Sequence, residues 1–292
     1  MRITGNRLID LASAATTKNQ SAVGTVSAEL SSGLRVTTPS DDPAAWVAAQ
    51  RTKLRQVMSQ GAGAAVATSR DALQMTDSAL ASIGSAVSQI RTLAVQGSSD
   101  TYSAADRVGL GNEVRGLFQA ALASANAQGP DGEYLLAGAA SLAAPFDASG
   151  AYQGDAGVRT VPSNDSELTA GTTVAGTNLT AANGVDVLPV LDRVATALSS
   201  NDLAALRAAL PDLDTAIKQI SLSRSQTGAA MSSLDQTTAA RSALESDMQQ
   251  AISKYVEVDT VTAATDLAKA SQALLVSQQV TSHIIQLLAP ST

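Results

Sequence analysis

The chain has 292 residues, enough to bury a core, yet only 2% are aromatic against 45% hydrophobic, so its apolar content is mostly Ala, Val and Leu. Small aliphatic side chains suit close helix packing better than a deep ligand pocket, which larger and aromatic groups usually line. No Cys and a single His283 exclude thiolate chemistry, disulfides, Cys-ligated metals and paired imidazoles, and the formal charge of −7 is spread singly, with no basic stripe and interleaved aromatics to engage nucleic acid.

From the N-terminus, Asp10, Lys18 and Asn19 interrupt the apolar run a cleaved signal peptide would need. No stretch of about 18 apolar residues is present to span a membrane. Export would therefore use a route that needs neither. Ile9, Thr16, Val23 and Leu30 lie seven apart, with Ala12, Asn19 and Val26 three residues after the first three. That is the a/d spacing of a coiled-coil seam. Pro39-Ser40-Asp41-Asp42-Pro43 then reads as a turn. Without a neighbouring His or further carboxylates, Asp41 and Asp42 read as a solvated turn rather than a metal site.

No proline occurs from Ala44 to Gly129 or from Asp212 to Ala289, which predicts two long helical stretches. Leu73, Leu80, Val87 and Ala94 form one heptad series and Thr76, Ile83 and Ile90 its companion. Leu213, Ile220, Thr227 and Leu234 form another. These central series fit an intramolecular bundle core and subunit contact equally well. A shorter helix is expected from Ser103, whose hydroxyl can cap it while Asp106 reaches back. Gly109, Gly111 and Gly116 fall inside that pattern with no preceding strand, so they make no nucleotide loop.

Nine of the twenty glycines fall between Gly129 and Gly184. Tyr152, Val158, Thr160 and Val161 alternate loosely with Gly150, Gly154 and Gly157, which predicts hairpins in a β-rich insertion. Asn164 and Asn178 match the glycosylation pattern by chance. Val187 to Ser199 and Leu203 to Leu210 read as short helices closing the insertion. At the far end Leu267, Leu274, Thr281 and Leu288 repeat the seven-residue spacing, with Ala270, Ser277 and Ile284 between them. The two ends look built to pair.

The predicted fold is mainly α, an elongated helical bundle with N- and C-terminal coiled-coil helices and a small β-rich insertion domain. Its parts are a terminal coiled coil (1–38 and 259–292), a helical bundle (39–145 and 186–258) and an exposed insertion (146–185). A buried Leu or Ile contributes only about 1.5–3 kcal/mol, and both terminal seams mix such residues with Thr, Asn and Ser. Both ends are therefore expected to be mobile in the monomer and to order under neighbouring subunits. The expected interface residues are Ile9, Thr16, Val23, Val26, Leu30, Leu267, Leu274, Thr281, Ile284 and Leu288.

Several segments resemble the flagellin and hook-associated protein superfamily. Leu30-Ser31-Ser32-Gly33-Leu34-Arg35-Val36 is similar to that family's first turn, and Ile90-Arg91-Thr92-Leu93-Ala94-Val95-Gln96 to its RELAVQ segment. Arg224-Ser225-Gln226-Thr227-Gly228-Ala229 resembles its R-x-x-x-G-A signature. Pro39 to Pro43, and Gly132-Glu133-Tyr134-Leu135-Leu136-Ala137-Gly138 with Leu136 where Phe is usual, resemble the hook–filament junction branch. The resemblance implies a structural subunit, not an enzyme, with no cofactor. It implies export unfolded through the flagellar type III apparatus, with a cytoplasmic chaperone on the C-terminal helix. It further implies self-association in a helical ring layer beside another hook-associated protein and flagellin, with no nucleic acid or membrane partner. Flagellin itself is the nearest alternative. A chemoreceptor-like helical signalling module would carry heptads unbroken through a hairpin tip, and an all-helical lyase would need a convergent catalytic set that is not found here.

Overall fold

The computed structural model describes residues 2–162, 168–170 and 176–288, with side chains described for 7–161 and 176–287. The chain is mainly helical: α1 (Arg2–Ser32), α2 (Pro43–Gly97), α3 (Ala104–Ala125), α4 (Val187–Ser199), α5 (Leu203–Val256) and α6 (Thr260–Leu288), with strands β1 (Thr160–Pro162) and β2 (Leu168–Ala170). It forms two compact units, residues 1–57 with 245–292, and residues 58–244.

In the first unit α1 packs along α6. Their half-buried positions fall on the seven-residue rows, because only one stripe of each helix can face its partner. Gly33 ends α1 at φ +72°, a left-handed conformation that favours glycine. Its N–H donates to the Glu29 carbonyl at 2.8 Å. The chain is then tied down where α5 gives way to α6: the Arg35 N–H donates to the Val256 carbonyl at 2.7 Å, and the Val258 N–H to the Gly33 carbonyl at 3.0 Å. Val36, Ala45, Ala49, Met248, Ile252 and Ala263 are buried in this unit.

The core of the second unit joins Leu80, Ile83, Val87 and Ile90 of α2, Val114 and Phe118 of α3, Leu191, Val194 and Leu198 of α4, and Leu206, Leu213 and Ile220 of α5. α3 starts with the capping box expected at Ser103: the Asp106 N–H donates to the Ser103 hydroxyl at 3.2 Å, and the Ser103 N–H to the Asp106 carboxylate at 3.2 Å. α5 does not stop before Pro211, as the short-helix reading has it. The helix runs through the proline, which costs about 3 kcal/mol in a helix interior, because Leu206, Ala209, Leu213 and Ala216 form one buried row on both sides of it.

The β-rich insertion is a second correction. Among the described residues it holds one short antiparallel strand pair, Thr160 against Ala170, and an isolated antiparallel bridge between Phe146 and Tyr152, and Asn164 lies outside them. Turn hydrogen bonds and side chains, more than strand ladders, satisfy its backbone. Asn126 Nδ2 donates to the Phe146 carbonyl at 2.9 Å while the Phe146 N–H donates to Asn126 Oδ1 at 3.0 Å. Asp155 Oδ1 accepts the N–H groups of Ala139 at 2.7 Å and Gly157 at 3.0 Å. The Tyr152 hydroxyl donates to the carbonyls of Asp155 at 2.7 Å or Leu136 at 3.2 Å, with its ring 5.2 Å from that of Phe146.

Candidate assembly surfaces

Ile9, Thr16, Val23, Val26 and Leu30 on α1, and Leu267, Leu274, Thr281 and Ile284 on α6, are all half-buried. The Leu288 side chain lies outside the described residues. The two sets lie on the mutual seam within one chain. The hydroxyls of Thr16 and Thr281 are 3.1 Å apart, and Asn19 Nδ2 donates to the Ala273 carbonyl at 3.2 Å, so the helices run antiparallel. Polar seam residues fix register here at some cost in stability.

The large apolar residues left outside this seam are ones the a/d reading missed. Leu8 is 52% exposed, Leu11 66%, Val276 53%, Val280 50% and Leu287 72%. Counted from the seam as position a, Leu8, Val280 and Leu287 fall at g, and Leu11 and Val276 at c. In an antiparallel pair the g rows of both helices lie on the same side of the seam. A groove of about 510 Å³ runs along that side between Ala12, Ala15 and Asn19 of α1 and Ala273, Val276 and Val280 of α6. On the other flank Ser13, Gln20, Ser27, Ser271 and Gln278 are polar, while Val261, Leu275 and Ile285 of α6 are the exposed apolar residues there. Continuing the heptad count to g and c, with the helices set antiparallel, would have found this stripe, the one to which both helices contribute large side chains.

The turn from Pro39 to Pro43 is a hydrogen-bonded knot. Asp41 Oδ2 accepts the N–H groups of Thr38 at 2.8 Å and Thr37 at 2.9 Å, with the Thr37 hydroxyl at 3.1 Å. The Thr38 amide above all, then that of Thr37, lowers this carboxyl to about 2. Asp42 accepts the Ala45 N–H at 3.0 Å and so caps α2, and it also accepts from Arg35 at 3.1 Å. The amide of Ala45 first, then Arg35, pulls its carboxyl below the usual range. Pro43 takes the first helical position, where its missing N–H costs nothing, and the Ser40 hydroxyl lies 2.8 Å from that of Thr38. Pro39 is exposed. Both carboxylates thus have local work in holding the turn. Among the described residues no group of three or more His, Asp or Glu is placed to hold a metal ion, and no helix is long and apolar enough to cross a membrane.

Comparison with known proteins places these features. The bacterial flagellin N-terminal helical region matches residues 6–141 and the bacterial flagellin C-terminal helical region matches residues 210–288. Flagellar hook-associated protein 3 of Salmonella typhimurium is 31% identical over 157 residues, 53% of this chain and 49% of that relative. The chain thus spans about half the length of this relative. Among solved structures, a Vibrio parahaemolyticus chain described as a flagellar hook-associated protein aligns with a TM-score of 0.67 at 21% identity, covering 74% of this chain and 100% of that one. FlgL of Bacillus cereus aligns with a TM-score of 0.59 at 19% identity, covering 70% and 99%. At these identities the structures establish a shared fold.

Proposed function

We propose that this chain, which belongs to the bacterial flagellin family, is a structural subunit of the flagellum that forms the junction layer between hook and filament. The observation that carries the reading is the apolar surface the α1–α6 pair leaves uncovered: Leu8, Leu11, Val276, Val280 and Leu287 project from helices that already have each other as partners. Large apolar rows of this kind mark protein contacts, and neighbouring subunits would cover them. In this reading residues 1–38 and 259–292 form the inner layer of the assembly, 39–145 and 186–258 the bundle around it, and 146–185 the outward domain. The seam residues Ile9 to Leu30 and Leu267 to Leu288 then contribute to subunit contact by holding the flank in register. The name of the Salmonella relative favours the junction over the filament, as do the Pro39–Pro43 turn and the Gly132–Gly138 segment.

A contact between two different surfaces builds an open helical array rather than a closed dimer, which suits a ring layer beside another hook-associated protein and flagellin. The chain would act without catalysis or cofactor, leave the cell through the flagellar type III route, and be held before export by a chaperone on α6. The test is immunogold microscopy of intact flagella with antibody against residues 146–185. A narrow labelled band where hook meets filament is the expected result, whereas label along the whole filament would make the chain a filament flagellin, and unlabelled flagella would overturn the reading.

A further inference from the structure

Residues 47–57 of α2 carry Arg51, Lys53 and Arg55 and no acidic residue. All three are exposed, and among the described residues no carboxylate lies within ion-pair distance of them. Interleaved with them are Val47, 46% exposed, Leu54 at 63% and Val57 at 64%. On a helix, Val47 and Leu54 share a row, Arg51 and Arg55 lie to one side of it, and Lys53 and Val57 to the other. Three large aliphatic side chains so close together make a patch with basic rims, where single exposed ones would need no explanation.

The residues 58–244 present a surface of the opposite character. A groove of about 460 Å³ between α4 and the start of α5 is lined by Ala197, Ala205, Ala208 and Ala209, with Asp192, Asp202 and the Asp212-paired Arg193 in its walls. Nearby charges are already matched: Arg193 with Asp212 at 2.8 Å, Arg207 with Asp100 at 3.0 Å, and Arg91 with Asp214 at 2.5 Å. Asp202 Oδ1 accepts the Ala205 N–H at 2.9 Å, but no basic side chain among the described residues pairs with Asp202 or Asp192. Alanine walls leave room for a branched side chain. A comparable groove beside Met75 and Leu135 offers one carboxylate, Asp71, and has large side chains in its wall already.

We propose that the 47–57 face of α2 docks into the α4–α5 groove of a second copy of this chain, with Leu54 among the alanines and Arg51 and Arg55 facing Asp192 and Asp202. The proposal rests on the reading of the chain as a self-assembling subunit and names two surfaces that would meet. They differ from each other, so the contact is of the propagating kind. Its charges lie at the rim, where they set orientation and salt sensitivity more than affinity.

The chain has no native cysteine, so one copy carrying Leu54→Cys and another carrying Ala205→Cys can be mixed at high concentration and oxidised. Both positions are exposed, and circular dichroism checks that the fold is kept. The expected result is a mixed disulfide dimer about tenfold above that from Leu54→Cys with a control Ser82→Cys. Arg51→Glu with Arg55→Glu should abolish it, and Asp192→Lys with Asp202→Lys in the partner copy should restore it. A yield equal to the control, or one indifferent to charge reversal, would overturn the contact. Gold labelling of flagella decides the junction reading separately, so the two can fail independently.

Discussion

Arg107 donates from Nη1 to the Asn201 side chain at 2.7 Å, joining α3 to the turn between α4 and α5. The same guanidinium, 5% exposed, donates to the carbonyls of Gly97 and Ser99, each at 2.8 Å. It therefore satisfies acceptors at the C-terminal end of α2, where the helix dipole concentrates negative charge. Arg107→Met should lower stability by about 2 kcal/mol, since it strips one buried and two partly buried hydrogen bonds of their donor. Arg107→Lys should recover less than half, because an ammonium cannot fork to the same acceptors. Urea unfolding at neutral pH measures both.

Gly61 lies inside α2, and a Cβ built there meets nothing within 4 Å. Gly61→Ala should therefore stabilise by about 0.5–1 kcal/mol through lost unfolded-state freedom. Gly84 is the contrast, because its added Cβ would lie 3.3 Å from Ile220 Cγ2. Gly84→Ala should gain less, or lose, in the same thermal melts.

Acid should destabilise the chain through carboxyls that folding depresses. Asp41 titrates at about 2 when folded against about 3.9 unfolded, so its contribution is fully present above about pH 4 and is lost as pH falls toward 2. The carboxyls of Asp42, Asp106, Asp155 and Asp259 are lowered in the same sense by hydrogen bonds, the first by Ala45 and the second by Ser103. Asp41→Asn should flatten the acid limb of the urea midpoint plotted against pH while changing little in the shape of the curve above pH 5.

Hydrogen exchange on the monomer should separate the two units. Amides of α3 and α4, flanked by Val114, Phe118, Leu191 and Leu198, should exchange slowly, and those of α1 and α6 quickly, because their seam is only half-buried. Strong protection of both terminal helices in the monomer would contradict this.

Val276→Asp with Val280→Asp should leave the helix content of the monomer unchanged, as both side chains already face water. The pair should nonetheless remove the gold label from flagella, because a carboxylate in a covered apolar groove is costly to desolvate.

Seven-residue rows made the seams readable in advance, since Ile9, Thr16, Leu267 and Thr281 had one partner face to find, and the Ser103 cap was readable from four adjacent residues. What escaped depends on relations the rows do not encode. The stripe from Leu8 to Leu287 follows from helix direction, which spacing alone leaves open. The insertion looked like strands because its tyrosine and valines alternate with glycines, while Asp147, Asp155 and Asn126 take up the backbone groups a ladder would need. Pro211 looked like a stop because the buried row on either side of it only becomes visible with α4 in place. Arg51, Lys53 and Arg55 passed as scattered charge until their exposure was known.

The seam between α1 and α6 joins residues very far apart in the chain: Thr16 and Thr281 are separated by 265 positions, Asn19 and Ala273 by 254. During synthesis α1 is complete long before any of α6 exists, so it waits without a partner while the rest of the polypeptide is made. Contacts of such sequence separation form late, after their closure entropy has been met. Of the two partners, the helix made first is thus among the last to find its place, which keeps it unpaired, and open to capture by other molecules, for most of the time the chain takes to fold.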